Sequence, residues 1–285
     1  MAEMNVHTIA SLELPALAPY RTLRRPAEHA TQGIFVAEGD KVVRRLLSSN
    51  FGVRSVLLPE ARVREFEPLL RARPEREIPV YAVTRKSVLE ELVGFEMFQG
   101  VLGIGQIPAA VTVEKILADQ RGPKLWAAVD GLTSAENIGL LVRNCAAFGV
   151  QALIVGETSS SPFLRRAVRN SMGTIFQLPV VELNPGGRTQ RTGNLAATLR
   201  DLRARGIRCL AAHPHTNQKF LAEADFGGDC CLVFGSEGNG LSAAVLAACD
   251  EAVAVPMANG VDSLNVAAAA AVFLYEAVRQ RNLAK

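Results

Sequence analysis

Three short stretches in the second half of this 285-residue sequence carry side chains that could do chemistry. The first, DGLTSAENIGLLVRNCAAFGV from Asp130 to Val150, reads as a polar turn followed by a helix. Ile138, Leu141, Val142, Cys145 and Phe148 recur at the spacing of one buried face, and Asn137 stands where a helix N-cap is expected. Arg143 and Asn144 lie off that face. Gly139 is one turn before Arg143, and helical side chains lean toward the N-terminus, so the guanidinium lies over a spot with no side chain beneath it. A ligand group can occupy that gap.

The second stretch, LVFGSEGNGLS from Leu232 to Ser242, is a glycine-rich turn after an apolar strand; glycines there let a ligand approach the backbone and expose N–H donors. Its order is G-x-x-G-x-G at 235, 238 and 240, which is not the dinucleotide pattern G-x-G-x-x-G and disfavours a nicotinamide enzyme. The third stretch runs from Val255 to Ala277. A strand ends near Pro256, a loop passes Asn259 and Gly260, and Ser263 is a plausible N-cap for an Ala-rich final helix, with Asn265 a second polar group beside it.

The elements that position these stretches alternate along the chain. From Lys124 onward the apolar runs LWAAVD, QALIVG, IFQLPVV, IRCLAA, CLVFG and AVAVP are separated by helical pieces, which predicts a parallel sheet covered on both faces. Ligands of such sheets bind at the carboxyl ends of the strands, where all three stretches fall. Val266, Ala270, Phe273 and Ala277 place one face of the last helix on that sheet. An earlier alternation, with strands GIFVAEG, VRSVLLPE and IPVYAV and helices DKVVRRLLSSN, ARVREFEPLLRAR and RKSVLEELV, predicts a smaller α/β unit. The resulting division is an N-terminal extension over 1–19, an α/β unit over 20–107, a linker over 108–123 and the larger sheet domain over 124–285.

Composition excludes several classes. Five cysteines in no C-x-x-C pair suggest neither a zinc site nor a disulfide framework, and no metal is expected; His213 and His215 alternate at a strand end and read as loop residues rather than ligands. The first residues are not a secretory signal, and the apolar run from Val266 to Tyr275 is ten residues long, against the ~20 that a membrane span requires. A cytoplasmic protein without membrane attachment is expected. The net charge is only +3, but between Ser160 and Leu210 nine arginines face Glu182 and Asp201, so that stretch carries +7 and the remainder −4. Arg165, Arg166 and Arg169 are candidates for contacting the phosphates of a nucleic acid, Arg165 and Arg169 from one helix face.

Taken together and in this order, the three stretches resemble the SpoU (TrmH-like) family of RNA ribose methyltransferases. The pattern N-x-G-x-x-x-R appears as Asn137, Gly139 and Arg143, and G-x-E-G-x-G as Gly235, Glu237, Gly238 and Gly240. The pattern P-M-x-x-x-x-x-S-L-N-V appears as Pro256, Met257, Ser263, Leu264, Asn265 and Val266. Residues 21–107 resemble the small substrate-binding domain of ribosomal-RNA members, with VAEGDKVVRRLL at its strand-to-helix junction and FQGVLGIGQIP at its last strand.

The resemblance implies a C-terminal trefoil-knotted, SPOUT-type methyltransferase domain preceded by a small α/β RNA-binding domain. It implies S-adenosylmethionine held mainly by backbone groups of Gly235, Val255 and Leu264, with Glu237, Gly238, Pro256 and Met257 beside them. Asn137, Arg143, Ser263 and Asn265 are the implied catalytic set. Arg21, Arg24 and Arg25 join Arg165, Arg166 and Arg169 as RNA-binding candidates, and a homodimer is implied. The expected reaction is methylation of a ribose 2′-hydroxyl, in 23S ribosomal RNA first. The same chemistry on transfer RNA, or a non-catalytic RNA-binding or ribosome-assembly protein of the same fold, are the competing expectations.

Overall fold

Runs of aliphatic and β-branched residues too continuous to leave a face in water form the middle strands of two sheets, each covered by helices drawn from the intervening polar-apolar pieces. The computed structural model describes residues 4–75, 77–85, 89, 100–184, 193–215 and 219–283. The chain divides into two compact units, Met1–Ala109 with Phe163–Phe176, and Ala110–Pro162 with Gln177–Lys285.

The first unit is built on β1 (Val6–Ile9), β2 (Ile34–Glu38), β3 (Val53–Pro59), β4 (Val80–Val83) and β5 (Leu102–Gln106), in the order β1-β4-β3-β5-β2. Strands β1, β4 and β3 are parallel, and β5 runs antiparallel to both of its neighbours. Helices α1 (Ala18–Arg21), α2 (Pro26–Thr31), α3 (Asp40–Leu47) and α4 (Val63–Arg71) complete it. The expected strands and the helices of α3 and α4 are present; the helix expected over 85–93 falls, apart from Arg85 and Leu89, outside the described residues. Strand β1 pairs with β4 inside the stretch read as an extension. Only Ile9 of its four residues is buried, so it offers no alternating pattern by which to find it.

Phe163–Phe176, which follows a strand of the larger sheet in the sequence, packs in the first unit. The rings of Phe163 and Phe176 lie 5.3–6.2 Å from those of Phe35 and Phe51. Helix α7 (Arg165–Asn170), which follows α5 (Val113–Asp119) and α6 (Ala135–Ala147) in the chain, sets Arg165 and Arg169 on the two oxygens of Glu38, at 3.2 and 2.9 Å. Arg45 donates to the carbonyl of Met172 at 2.6 Å. This docking overturns the expected strand over IFQLPVV. Thr174–Gln177 is a 3-10 turn whose Phe176 faces the aromatic cluster, and the strand shrinks to Val180–Glu182, beyond Pro179, which has no N–H to give a ladder.

The second unit carries β6 (Leu125–Val129), β7 (Ala152–Val155), β8 (Val180–Glu182), β9 (Arg208–Ala212), β10 (Cys230–Phe234) and β11 (Glu251–Val253), all parallel, in the order β11-β9-β10-β6-β7-β8. Its helices are α5 (Val113–Asp119), α6 (Ala135–Ala147), α8 (Leu195–Ala204), α9 (Ala243–Leu246) and α10 (Val266–Leu283). Trp126, Ile154, Leu199 and Val233 are central to the core on one face, which Val113 and Ile116 of α5, inside the stretch expected to be a linker, also join. On the other face α10 packs on α6 and β10, burying Ala270, Phe273 and Ala277, with Phe273 edge-on to Phe234 at 5.9 Å. Its last turn is pinned by Arg281, which donates to the carbonyls of Phe226 and Lys124, both at 2.9 Å.

Arg73 shows how the first unit closes its corners. Its guanidinium donates to the carbonyls of Leu47 at 3.2 Å, Phe51 at 2.7 Å and Ser49, and to Glu75 at 2.7 Å. Removing it leaves three carbonyls to find other partners, so Arg73→Ala is expected to cost about 2–4 kcal/mol in urea unfolding. Arg73, donating to Glu75, holds that carboxyl down at about 2. Because the folded value is depressed, this contribution is present above the ordinary carboxyl range near ~4.3 and is lost as pH falls toward 2. Glu75 is a third exposed, so the loss is under about 1 kcal/mol. Unfolding curves at pH 5.5 and pH 3 should show it in the parent and not in Arg73→Ala.

Candidate active site

Because all six strands of the larger sheet run the same way, the segments that follow β6, β10 and β11 emerge at one edge. Asp130, directly after β6, donates its N–H to the carbonyl of Phe234 at 2.9 Å and accepts from the N–H of Ser242 at 2.8 Å. One buried carboxylate thereby ties the first segment to the glycine turn after β10. In that turn Ser236 and Gly240 exchange two main-chain hydrogen bonds of 3.0 Å, and Gly240 adopts φ +64°. A Cβ on Gly235 would overlap the main chain of Gly240 and Leu241, so only glycine fits there.

Two helix starts differ from expectation. Ser134, not Asn137, caps α6: its hydroxyl accepts from the N–H of Asn137 at 3.3 Å. Asn137 is the third helical residue and its side chain is freed to point across the site. At α10 the cap is Asn265 rather than Ser263, because the helix begins at Val266 and Asn265 Oδ1 accepts from the N–H groups of Ala267 at 2.9 Å and Ala268 at 3.4 Å. With Oδ1 committed to the helix, Nδ2 of Asn265 points the other way and donates to Asn137 Oδ1 at 3.1 Å and Glu237 Oε1 at 2.9 Å. Asn137 Nδ2 donates to the same Glu237 oxygen. One residue from each segment thus meets at a closed junction of side chains.

Arg143 is exposed and makes no hydrogen bond or ion pair among the described residues, although its helix is held in place by the next residue. Asn144 donates to the carbonyl of Ala267 at 2.7 Å, stapling α6 to the first turn of α10. Ser263 is likewise exposed and makes no hydrogen bond among the described residues. Both keep their polar groups available to a ligand. Sequence reading passed over Asp130 and Asn144; an Asp at a strand end before Gly131, and the Asn off the buried face beside Arg143, were the available signals.

A cleft of about 290 Å³ opens at the ends of β9, β10 and β11, with Phe234, Val253, Val255, Met257, Leu264 and Phe273 supplying apolar wall. Six of the seven candidate donor contacts line it, namely Gly235, Glu237, Gly238, Val255, Met257 and Leu264; Pro256 does not. The backbone groups of Gly235, Val255 and Leu264 make no main-chain hydrogen bond among the described residues. Apolar walls, unpaired main-chain groups and a turn that tolerates no side chain fit a flat heteroaromatic ring joined to a polar chain, which is the make-up of S-adenosylmethionine. Burial pushes Cys145 and Cys249 up to about 12 and raises the other three cysteines as well, which disfavours the thiolate that thiol chemistry needs. No group of three metal-ligating side chains is assembled among the described residues, and no described helix is long and apolar enough to cross a membrane.

All six candidate RNA-binding arginines belong to the first unit. Arg24 is near enough to Arg165 to disfavour its charge, although burial is the larger cause of the lowered Arg165 pKa. Arg165 and Arg169 share Glu38, Arg25 pairs with Glu28 at 3.0 Å, and Arg21 donates to the carbonyl of Leu12 at 2.8 Å. Arg24, Arg25, Arg166 and Arg169 remain exposed.

Comparisons with known proteins point to one family. Residues 124–275 match the model of the SpoU rRNA Methylase family. An uncharacterized tRNA/rRNA methyltransferase of Mycobacterium bovis is 32% identical over 97% of this chain and 93% of its own length. The 23S rRNA (guanosine-2′-O-)-methyltransferase RlmB of Ralstonia nicotianae is 31% identical over 79% of this chain and 85% of its own. Among solved structures, the SpoU methyltransferase AviRb of Streptomyces viridochromogenes in complex with the cofactor AdoMet is 28% identical, with a TM-score of 0.75 over 93% of this chain and 98% of that one.

The double duty of Asn265 can be separated by substitution. Asn265→Ala loses the cap and both donors and is expected to lower stability by about 1 kcal/mol. Asn265→Asp keeps the cap but sets a second carboxylate against Glu237, so thermal unfolding should place its loss below that of the alanine variant at low ionic strength only if the cap outweighs the repulsion. Raising salt, which screens the carboxylate pair, should then stabilise the aspartate variant more than the alanine one.

Proposed function

The chain belongs to the SpoU rRNA methylase family, and on that premise we propose that it methylates a ribose 2′-hydroxyl of 23S ribosomal RNA in the cytoplasm. It is an RNA methyltransferase that uses S-adenosylmethionine. The observation that carries the finer reading is the junction of Asn137, Glu237 and Asn265 beside a cleft that both the glycine turn and the 255–264 segment line. The 23S rRNA (guanosine-2′-O-)-methyltransferase among the relatives supports the substrate class.

When bound, S-adenosylmethionine supplies an electrophilic methyl group on a sulfonium sulfur. The chain's part is to hold a weak nucleophile in line and to favour loss of its proton. Positioning is a large share of that task, because fixing two reactants replaces an entropy cost otherwise met in each encounter. Ser263 is assigned to orient the ribose; Asn265, whose oxygen caps α10 and whose two amide hydrogens go to Asn137 and Glu237, is assigned to fix the segment that carries Ser263, and Asn137 to hold Asn265 and Glu237 in register. Arg143 is a permanent cation with a planar fork of donors, suited to gripping a phosphate and to stabilising negative charge that develops on the hydroxyl oxygen. Its freedom from any protein carboxylate among the described residues keeps that fork available. Glu237, by fixing the two asparagine amides, is a positioning residue.

The same reading makes the protein a homodimer. Val272 and Tyr275, one turn apart on α10, are 38 and 60% exposed, an apolar strip that a second copy would cover. Light scattering is expected to give twice the chain mass, and Tyr275→Asp to shift the protein toward monomer.

Arg143→Lys is the test of the mechanism. Lysine keeps the charge and loses the fork, so single-turnover methylation should fall roughly a hundredfold while donor affinity and thermal stability stay near those of the parent. Near-parental methylation would remove Arg143 from the chemistry. Mapping 2′-O-methyl sites on total RNA from cells with and without the chain tests the substrate; a site missing from transfer RNA, or a methyl group on a base, would overturn the proposed acceptor.

A further inference from the structure

Glu38, the last residue of β2, is buried, and a carboxylate in that position needs a cation beside it. One would suffice, and helix α7 delivers two. Arg165 Nη1 lies 3.2 Å from Glu38 Oε2, and Arg169 Nη1 donates to Oε1 at 2.9 Å. The side chain of Arg165 is 17% exposed, whereas that of Arg169 is 53% exposed and makes no second hydrogen bond among the described residues. Seating the segment Phe163–Phe176 does not call for Arg169 either. The rings of Phe163 and Phe176 pack on Phe35, Arg45 donates to the carbonyl of Met172, and a Cβ on Gly173 would stand 3.2 Å from the Arg45 Cβ, so that turn is shaped to the side chain it receives. Two guanidiniums against one carboxylate leave the cluster at +1, and Arg24 is close enough to Arg165 to add to it.

We propose that Glu38 is a positioning residue for RNA recognition, holding the guanidiniums of Arg165 and Arg169 in place so that their remaining donors grip phosphate. This rests on the assignment of the RNA contacts to the first unit. An arginine loose in solvent gives up rotamer freedom when it binds a phosphate, and one already pinned by a carboxylate has given that freedom up on folding. Arg165 and Arg169 are four residues apart on one face of α7, a spacing at which like charges repel. The carboxylate between them relieves that repulsion and still leaves an excess of positive charge for the RNA backbone. An acidic side chain near a nucleic-acid surface ordinarily weakens binding, because it repels the phosphates. Positioning by Glu38 gives the opposite sign.

Filter binding of protein-free 23S ribosomal RNA to the full-length protein, between about 50 and 200 mM salt, reads that sign. In Glu38→Gln the amide oxygen can accept from one arginine, but its nitrogen turns a donor toward the other. Affinity should fall about tenfold, and the slope of log K against log salt should flatten by about 0.7–0.9, the loss of one phosphate contact. Glu38→Asp keeps the charge and draws it back by one methylene, out of reach of both arginines at once. It should show the same two losses, and it decides the matter by itself if the glutamine variant does not fold. Arg169→Gln, a change at an exposed side chain, should match Glu38→Gln, and the double variant should lose nothing further. Tighter RNA binding by Glu38→Gln, parental binding by Glu38→Asp, or losses that add in the double variant would each overturn the proposal, the last by showing that Glu38 only seats the segment. Parental affinity and slope in both Arg169→Gln and Arg25→Gln would overturn the assignment of RNA contacts to the first unit as well, whereas a loss in those two with parental Glu38 variants sinks the Glu38 role alone.

Discussion

The Glu237 oxygen that receives the side-chain amides of Asn137 and Asn265 holds together three segments that are more than a hundred residues apart at their extremes. Each participant is fixed by a different piece of backbone. Asn137 rises from the first turn of α6, Glu237 from a turn closed by the Ser236 and Gly240 pair, and Asn265 from the cap of α10. An amide whose oxygen is bound by helix N–H groups can offer only its nitrogen elsewhere, so the geometry of the cap dictates the direction of the donor. The site's order therefore derives from helix capping, a strong local rule, used twice.

Packing beneath the junction serves the same end. Asp130 fastens the first segment to the residues after the glycine turn, Asn144 staples α6 to the first turn of α10, and Phe273 against Phe234 seats α10 on the sheet. Rigid support of this kind is what a positioning mechanism needs, since a displacement of an ångström in a reacting group forfeits much of the gain from holding it. Against that scaffold Arg143 and Ser263 stand apart, exposed and unbonded among the described residues, as groups meant for a partner outside the chain would be.

The first unit follows a different logic. Its candidate RNA contacts come from two distant parts of the sequence, residues 21–25 and the segment Phe163–Phe176. That segment is seated by aromatic packing and by Glu38, which at 6% exposure is a buried carboxylate neutralised by Arg165 and Arg169. Part of the positive charge counted along the sequence is thus internal to the fold. A cut of the chain at Lys124 would separate Phe163 and Phe176 from Phe35 and Phe51, so the two units do not divide at a single point in the sequence.

The sequence alone determined the parallel sheet, because strands such as Leu125–Val129 and Cys230–Phe234 are apolar at every position and must be covered on both faces. It also determined the three segments with their glycine, asparagine, serine and arginine residues, since backbone turns and caps demand particular residue types at fixed spacing. What it left open was which polar residue at each helix start would serve the backbone. Ser134 and Asn137, or Ser263 and Asn265, are equally good caps by type, and the assignment depends on where the helix begins, which the packing of α6 and α10 decides. Strand β1, the route of Phe163–Phe176 and the pairing of Glu38 with Arg165 and Arg169 were likewise invisible in one dimension. Each is a relation between residues far apart in the chain, and only the folded structure brings such residues within reach of one another.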